Sequence, residues 1–290
     1  MFKIFTFHKN EDILEDWLLY HGYLFGYDNL YVIDNCSEQK YIDILKQYER
    51  LGVNVQYDVK RYIDRISILS ELMRDYKYQC NLLIPLDIDE FIVKNNDVEF
   101  TCNKDEILKS LYAHKNTQIK LKFGEYTAQC FKENFTVPTI DMNRFIYYPC
   151  NNRSKTMFPA ELFLYTDQGN HCGKIDGNDT IYTYTDLSVA HFKIRGYKHF
   201  ERKTIKGGNA YGFDKDYLSS QKMGGQWRQW YRLYLRGVLN NYYKKHIMNS
   251  NGVEINSLAD KILDIKGIKN KRKLQCKLKD QIYKNYGVKL

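Results

Sequence analysis

The chain has 290 residues, is 43% hydrophobic and 15% aromatic, and carries 26 tyrosines but only 4 prolines, which suits a substantial core and excludes a disordered or linker-rich chain. The net charge of +9 is unevenly placed: residues 260–290 hold ten Lys/Arg against three Asp, a net +7, leaving +2 for the rest, so the protein is not a uniformly basic nucleic-acid binder. Its 7 cysteines are odd in number, scattered and without a C-x-x-C pair, a pattern of free thiols in a reducing compartment rather than a disulfide framework or zinc site.

In chain order, residues 3–7 read as a strand, so no leader is expected ahead of Phe2. Residues 12–25 carry Ile13, Leu14, Trp17, Leu18, His21 and Leu24 at helical spacing, and Gly26 suits a C-terminal cap. A strand at 29–34, a helix at 41–51 closed by Gly52, and a strand at 53–57 follow. A helix at 61–78 and an apolar strand at 81–86 complete the series. Strand–helix alternation of this length predicts a parallel sheet covered on both faces. After Phe91 the pattern is irregular. A strand is expected at 117–123, loops with short strands at 151–185, and one helix at 216–247 whose stripe of Trp227, Trp230, Tyr231, Tyr234, Leu235 and Val238 reads as a packing face. No apolar run is long enough to cross a bilayer.

The apolar strand at 81–86 runs into three carboxylates, Asp87, Asp89 and Glu90. Unpaired carboxylates out of water are costly, and the C-terminal edge of a parallel strand is where such sheets bind ligands. Asp87 and Asp89, two apart in an extended segment, point to one face, and a divalent metal is the natural cation for both. The turns after the first two strands, with His8, Asn10 and Glu11 and with Asp34 and Asn35, open on the same edge. Their side chains can hydrogen-bond a ribose or a base, though each also suits helix capping or a turn. A fourth segment, His191 to Phe200, ends a strand in an imidazole followed by Lys193 and Arg195, cations suited to a diphosphate. Lys155 and the turn 170–173 are weaker candidates.

Together these segments resemble the glycosyltransferase family 92 and family 2-like group, the former DUF23 domain. The resemblance rests on residues 7–21, on Asp34-Asn35-Cys36-Ser37, on Asp87-Ile-Asp89-Glu90-Phe91, on Phe123-Gly124, and on His191-Phe192 with Arg195, Phe200, Lys203 and Gly207. It covers about residues 2–212. It implies an α/β GT-A-type (Rossmann-like) fold, a mostly parallel sheet flanked by helices. A nucleotide-sugar half would span about 1–100 and an acceptor half about 101–212, with 213–290 a helical, basic extension outside the match.

The resemblance further implies a hexosyltransferase that moves a sugar, galactose by preference, from a UDP-sugar to a glycan with inversion. Asp87, Asp89 and His191 would hold Mn²⁺ or Mg²⁺, which stabilises charge on the departing phosphate as a Lewis acid. Lys193 and Arg195 would pair with phosphate, and His8, Asn10, Glu11 and Asp34 would face the nucleoside. An inverting enzyme needs a general base; Glu125, where relatives carry a small residue, and Asp176 are the candidates. Relatives with membrane anchors contrast with this chain, which is expected in the cytoplasm. There the basic tail would rest on an anionic membrane carrying lipid-linked acceptors, with no nucleic-acid partner. The competing assignment is a haloacid dehalogenase-like phosphatase with Asp87 as nucleophile. That family places its motif on the first strand, and a non-enzymatic basic binder leaves the three carboxylates unexplained.

Overall fold

A computed structural model describes residues 1–57, 64–95, 100–130, 146–177, 179–210, 212, 225–246, 253–254 and 257–268. The chain runs β1 (Phe2–His8), α1 (Leu14–Phe25), β2 (Leu30–Asp34), α2 (Gln39–Glu49), β3 (Asn54–Tyr57), α3 (Arg65–Asp75) and β4 (Leu82–Pro85). There follow β5 (Glu90–Asn95), β6 (Phe100–Thr101), α4 (Lys104–Ala113), β7 (Lys120–Cys130), β8 (Ile146–Pro159), β9 (Phe163–Thr166), β10 (Gly173–Ile175) and β11 (Tyr182–Arg195). The last elements are α5 (Tyr197–Ala210), α6 (Gly225–Leu235), α7 (Leu239–His246), β12 (Val253–Glu254) and α8 (Ser257–Ile265).

The main sheet has the order β3-β2-β1-β4-β8-β7-β11-β5-β6, with β12 beside β8. Its first four strands are mutually parallel, as the alternation of strands and helices predicts. Beyond β4 the sheet is mixed: β8 runs antiparallel to β4 and β7, whereas β7 and β11 are parallel. Strand periodicity explains why both faces are covered. Phe2, Ile4, Leu30, Val32, Leu82 and Ile84 point to one core with α1, α2 and α4. Phe5, Tyr31, Ile33 and Leu83 point to the other, where Ile68, Leu69 and Met73 of α3 pack.

Helix ends follow local chemistry. Gly26 ends α1 with φ 84° and Gly52 follows α2 with φ 111°, a region that glycine enters without penalty. Asn103 caps α4 by accepting hydrogen bonds from the Asp105 and Glu106 amides. The single helix expected at 216–247 is corrected. Its start and residue 247 lie outside the described residues, and what remains is α6 and α7, separated at Gly237 with φ 69°. Trp230 of that stripe does pack, with Phe200, Leu239 and Tyr243, whereas Leu235 and Val238 are exposed. Beyond these helices, β12 joins the main sheet. Leu258 and Ile262 of α8 enter the main core, and Lys266 pairs with Asp16 of α1 at 2.6 Å. Residues 269–290 of the basic tail lie outside the described residues. Among the described residues, no helix is long and apolar enough to cross a membrane.

Candidate functional site

A cleft of about 1450 Å³ opens along the C-terminal edge of the parallel strands. Asp87 and Asp89 line it together with Asn10 and Glu11 from the turn after β1 and with Lys193 of β11 and Lys203 of α5. Lysines and arginines outnumber carboxylates among its lining residues, which favours an anionic occupant.

The acidic motif is tightly paired. Asp89 and Glu90 are buried, while the Asp87 side chain is 46% exposed. The buried ammonium of Lys155 reaches Glu90 Oε1, lies 3.3 Å from Asp87 Oδ2, and donates to the Gly169 carbonyl at 2.6 Å. Lys203 from α5 lies 2.5 Å from Asp89 Oδ2, and His191 Nε2 is 3.5 Å from Asp89 Oδ1. Burial opposes the Asp89 charge, but Lys203 and His191 outweigh it and hold the carboxyl well below its usual range. For Glu90 burial prevails over the attraction of Lys155 and pushes the group up to about 7.

Glu125 holds His191 in place. β7 breaks register against β8 between Gly124 and Tyr126, and such a break re-aims the side chain at the bulge. Glu125 Oε1 lies 2.9 Å from His191 Nδ1, leaving Nε2 toward Asp89. Burial lowers the imidazole pKa, but Asp89 and Glu125 overcome this and raise it to about 9. The carboxylate of Glu125, disfavoured by burial, is held at about 2 by its bond to that ring.

The other expected site residues separate into two groups. Asn10, Glu11 and Lys193 line the cleft. The turns after β1 and β2 are laced together: the Asn10 amide donates to Ser37 Oγ at 3.1 Å, and the Glu38 amide to Asn10 Oδ1 at 2.7 Å. Asn10 and Cys36 sit at φ 52° and 53°, unusual for residues with a side chain. Lys193 donates to Gln226 at 3.2 Å, and burial with the nearby cations Arg153 and Lys203 lowers it to about 8.

His8, Asp34, Asp176, Glu125 and Arg195 are not among the cleft-lining residues. His8 is buried, and burial lowers it to about 3. Asp34 Oδ2 accepts from the Ser37 amide at 3.1 Å, the turn role. Asp176 lies on an exposed turn and accepts from the Gly177 amide at 3.0 Å. Arg195 is 1% exposed and bonds Asp12, the Glu11 carboxylate at 3.3 Å and the Phe192 carbonyl at 3.0 Å. It fastens the end of β11 to the chain ahead of α1.

Sequence reasoning gave little weight to Lys155 and named Lys203 only within a longer pattern, and it passed over Lys206. Lys203 and Lys206, three apart on α5, share a helix face, and Lys206 pairs with Glu11 at 3.0 Å. That spacing was a usable signal.

The fit to a divalent cation is partial. His191 Nε2 and Asp89 Oδ1 are adjacent, and a carboxylate behind the second ring nitrogen is the usual support of a metal-binding histidine. Asp87 is exposed enough to turn toward the same point but now faces Lys155. Among the described residues, the group of three whose ligand atoms lie within 4.8 Å of one another is instead Glu11, Asp12 and His199. Its carboxylates already pair with Arg195, Arg202 and Lys206.

No protein-family model and no curated protein matches the chain. Among solved structures it is similar to 4-diphosphocytidyl-2C-methyl-D-erythritol synthase from Anaerococcus prevotii, at 14% identity and a TM-score of 0.29, covering 56% of this chain and 70% of that one. It is also similar to a Bacillus anthracis protein described as a glucose-1-phosphate thymidylyltransferase, at 9% identity and a TM-score of 0.31, covering 93% and 96%. Likenesses this distant carry no functional argument, which rests on the site itself.

Proposed function

We propose that the protein is a glycosyltransferase that moves a hexose, galactose by preference, from a UDP-sugar to a glycan acceptor with inversion, and that a divalent cation assists it. The observation carrying this reading is the placement of Asp87 and Asp89 just after β4, in the lining of a large cleft that also holds Lys193, Lys203 and Lys206. Cations at that edge suit a nucleoside diphosphate, and the cleft's volume of about 1450 Å³ leaves space for a second substrate. When bound, Mn²⁺ or Mg²⁺ would stabilise charge on the leaving diphosphate. Asp89, His191 and a reoriented Asp87 would hold it, with Glu125 orienting the ring. Lys193 would neutralise donor phosphate, and Asn10 and Glu11 would meet the nucleoside.

One observation favours a second reading of the same reaction. Lys155 and Lys203 already neutralise the acidic motif, so lysines could take over the metal's electrostatic role. The phosphatase alternative expects its nucleophile on the first strand, whereas Asp87 follows β4. The basic tail at 260–290 is the segment we assign to an anionic membrane surface, where a lipid-linked acceptor would be met.

The test is a thermal-shift titration with UDP and UDP-sugars, with and without Mn²⁺, since only a ligand preferring the folded state raises Tm. A UDP shift that requires Mn²⁺ supports the metal-assisted transferase. A shift independent of Mn²⁺ supports the lysine reading. Absence of any nucleotide shift, with turnover of a simple phosphate ester, replaces both by the phosphatase.

A further inference from the structure

At Lys122 the lining of the cleft borders an exposed aromatic corner. In the parallel pairing of β7 and β11, Tyr182 stands opposite Lys120 and Tyr184 opposite Lys122. These side chains face away from Leu121 and Phe123, which belong to the core. Lys122 lines the cleft, and its ammonium lies 4.4 Å from the Tyr182 ring centroid. The Tyr182 and Tyr184 rings meet edge to face, with centroids 5.8 Å apart and planes at 82°. They are 47% and 60% exposed.

Large exposed aromatics beside a cleft are informative in a way that a single exposed leucine is not. Two rings at right angles make a floor and a wall, a shape that takes the flat face of a sugar ring and restricts how it turns. A tyrosine ring is also rigid, so little entropy is lost on contact. Lys122, shared by the corner and the cleft, supplies a partner for acid groups, and Arg153 also lines the cleft. In the sheet, β7 and β11 lie on the opposite side of β4 from β1 and β2, whose turns are where the donor's nucleoside is placed.

We propose that Tyr182, Tyr184 and Lys122 form the acceptor-binding arm of the cleft, and that its occupant is an oligosaccharide bearing acidic groups. This rests on the transferase reading for the word acceptor; the glycan contact itself does not depend on it.

The experiment uses the full chain and two hexasaccharide probes, the acidic hyaluronan hexasaccharide and the neutral chitohexaose. Saturation-transfer NMR and titration are run on the wild type, Tyr182→Ala/Tyr184→Ala and Lys122→Gln. UDP thermal shifts run in parallel check folding and the donor site. The expected result is binding of the acidic probe by wild type and a loss of about tenfold or more in the double tyrosine variant, a factor that single aromatic contacts can supply. Lys122→Gln should erase the preference for the acidic probe. Wild type ignoring both probes, or the double variant binding as tightly as wild type, overturns the proposal. Equal affinity of wild type for both probes overturns the acidic class. A lost UDP shift with retained glycan binding would instead count against the transferase reading alone.

Discussion

The ammonium of Lys203 lies 2.5 Å from Asp89 Oδ2, joining the α5 helix to a carboxylate 114 residues earlier. Both groups are largely out of water, so each depends on the other's charge. Breaking such a pair by removing one partner typically costs about 3–5 kcal/mol, because the survivor stays buried and charged.

Lys203→Met should therefore lower Tm, and added Mn²⁺ should restore much of the loss, because the freed Asp89 oxygen becomes available to a cation. Calorimetry with and without Mn²⁺ checks this. A loss that no divalent cation repairs would argue that Asp89 is an ion-pair partner only.

Asp87→Asn should abolish sugar transfer while leaving Tm close to wild type, because the side chain is half-exposed and its partner Lys155 keeps Glu90. Asp89→Asn should abolish transfer and also destabilise, since it strands Lys203. Product formation and Tm measured together separate the two, and full activity in Asp87→Asn would sink the assignment of the motif.

Arg195 and Lys193 should part ways. Arg195→Gln removes a buried guanidinium from Asp12 and Glu11 and should cost about 3–5 kcal/mol of stability. Lys193→Gln should leave stability unchanged and weaken UDP binding several-fold. Urea unfolding and UDP titration of both variants decide it; weaker UDP binding in Arg195→Gln without lost stability would return that residue to the phosphate.

Stability should peak near neutral pH. His8 and His21 are lowered by burial to about 3, so the unfolded chain binds more protons between about 3 and 6.5 and stability rises with pH there. His191 is raised to about 9. Its contribution is full below about 6.5 and is lost as pH climbs through 9. His191→Gln should flatten the alkaline limb of a Tm-against-pH curve, and an unchanged limb would contradict the Glu125–His191–Asp89 chain of contacts.

Gly207→Ala should loosen α5 from α6. A methyl group there would sit 2.2 Å from the Trp227 ring, and overpacking of this kind costs about 1–3 kcal/mol. Near-ultraviolet circular dichroism of the tryptophans and Tm report on it together.

The parallel half of the fold was legible in the chain because short apolar runs alternate with amphipathic helices, and the carboxylates after β4 stand out against an apolar strand. The 14-residue strand β8 was not, and of the equally long β11 only the stretch leading to His191 was. The β8 segment contains Pro149 and the polar run 151–155, which read locally as loop, and its strand state comes from pairing with β4, β7 and β12. In β11 the alternation Tyr182-Thr183-Tyr184-Thr185 was a strand signal that went unused. The counterions of the motif were hidden for another reason. Lys155 meets Asp87 across 68 positions and Lys203 meets Asp89 across 114, and no local pattern encodes a meeting of that kind.

Helix α8 seals the face of α1, with Leu258 and Ile262 in one core with Leu14 and Trp17. During vectorial synthesis, the first helix to leave the ribosome must therefore wait for nearly the last described one. Until residue 262 emerges, that apolar face stays open to solvent, and long-range closure of this kind slows folding and exposes the nascent chain to aggregation. A chain stopped after α5 would carry the acidic motif with Lys155, His191 and Lys203 yet leave this face uncovered, so its yield should depend on chaperone supply.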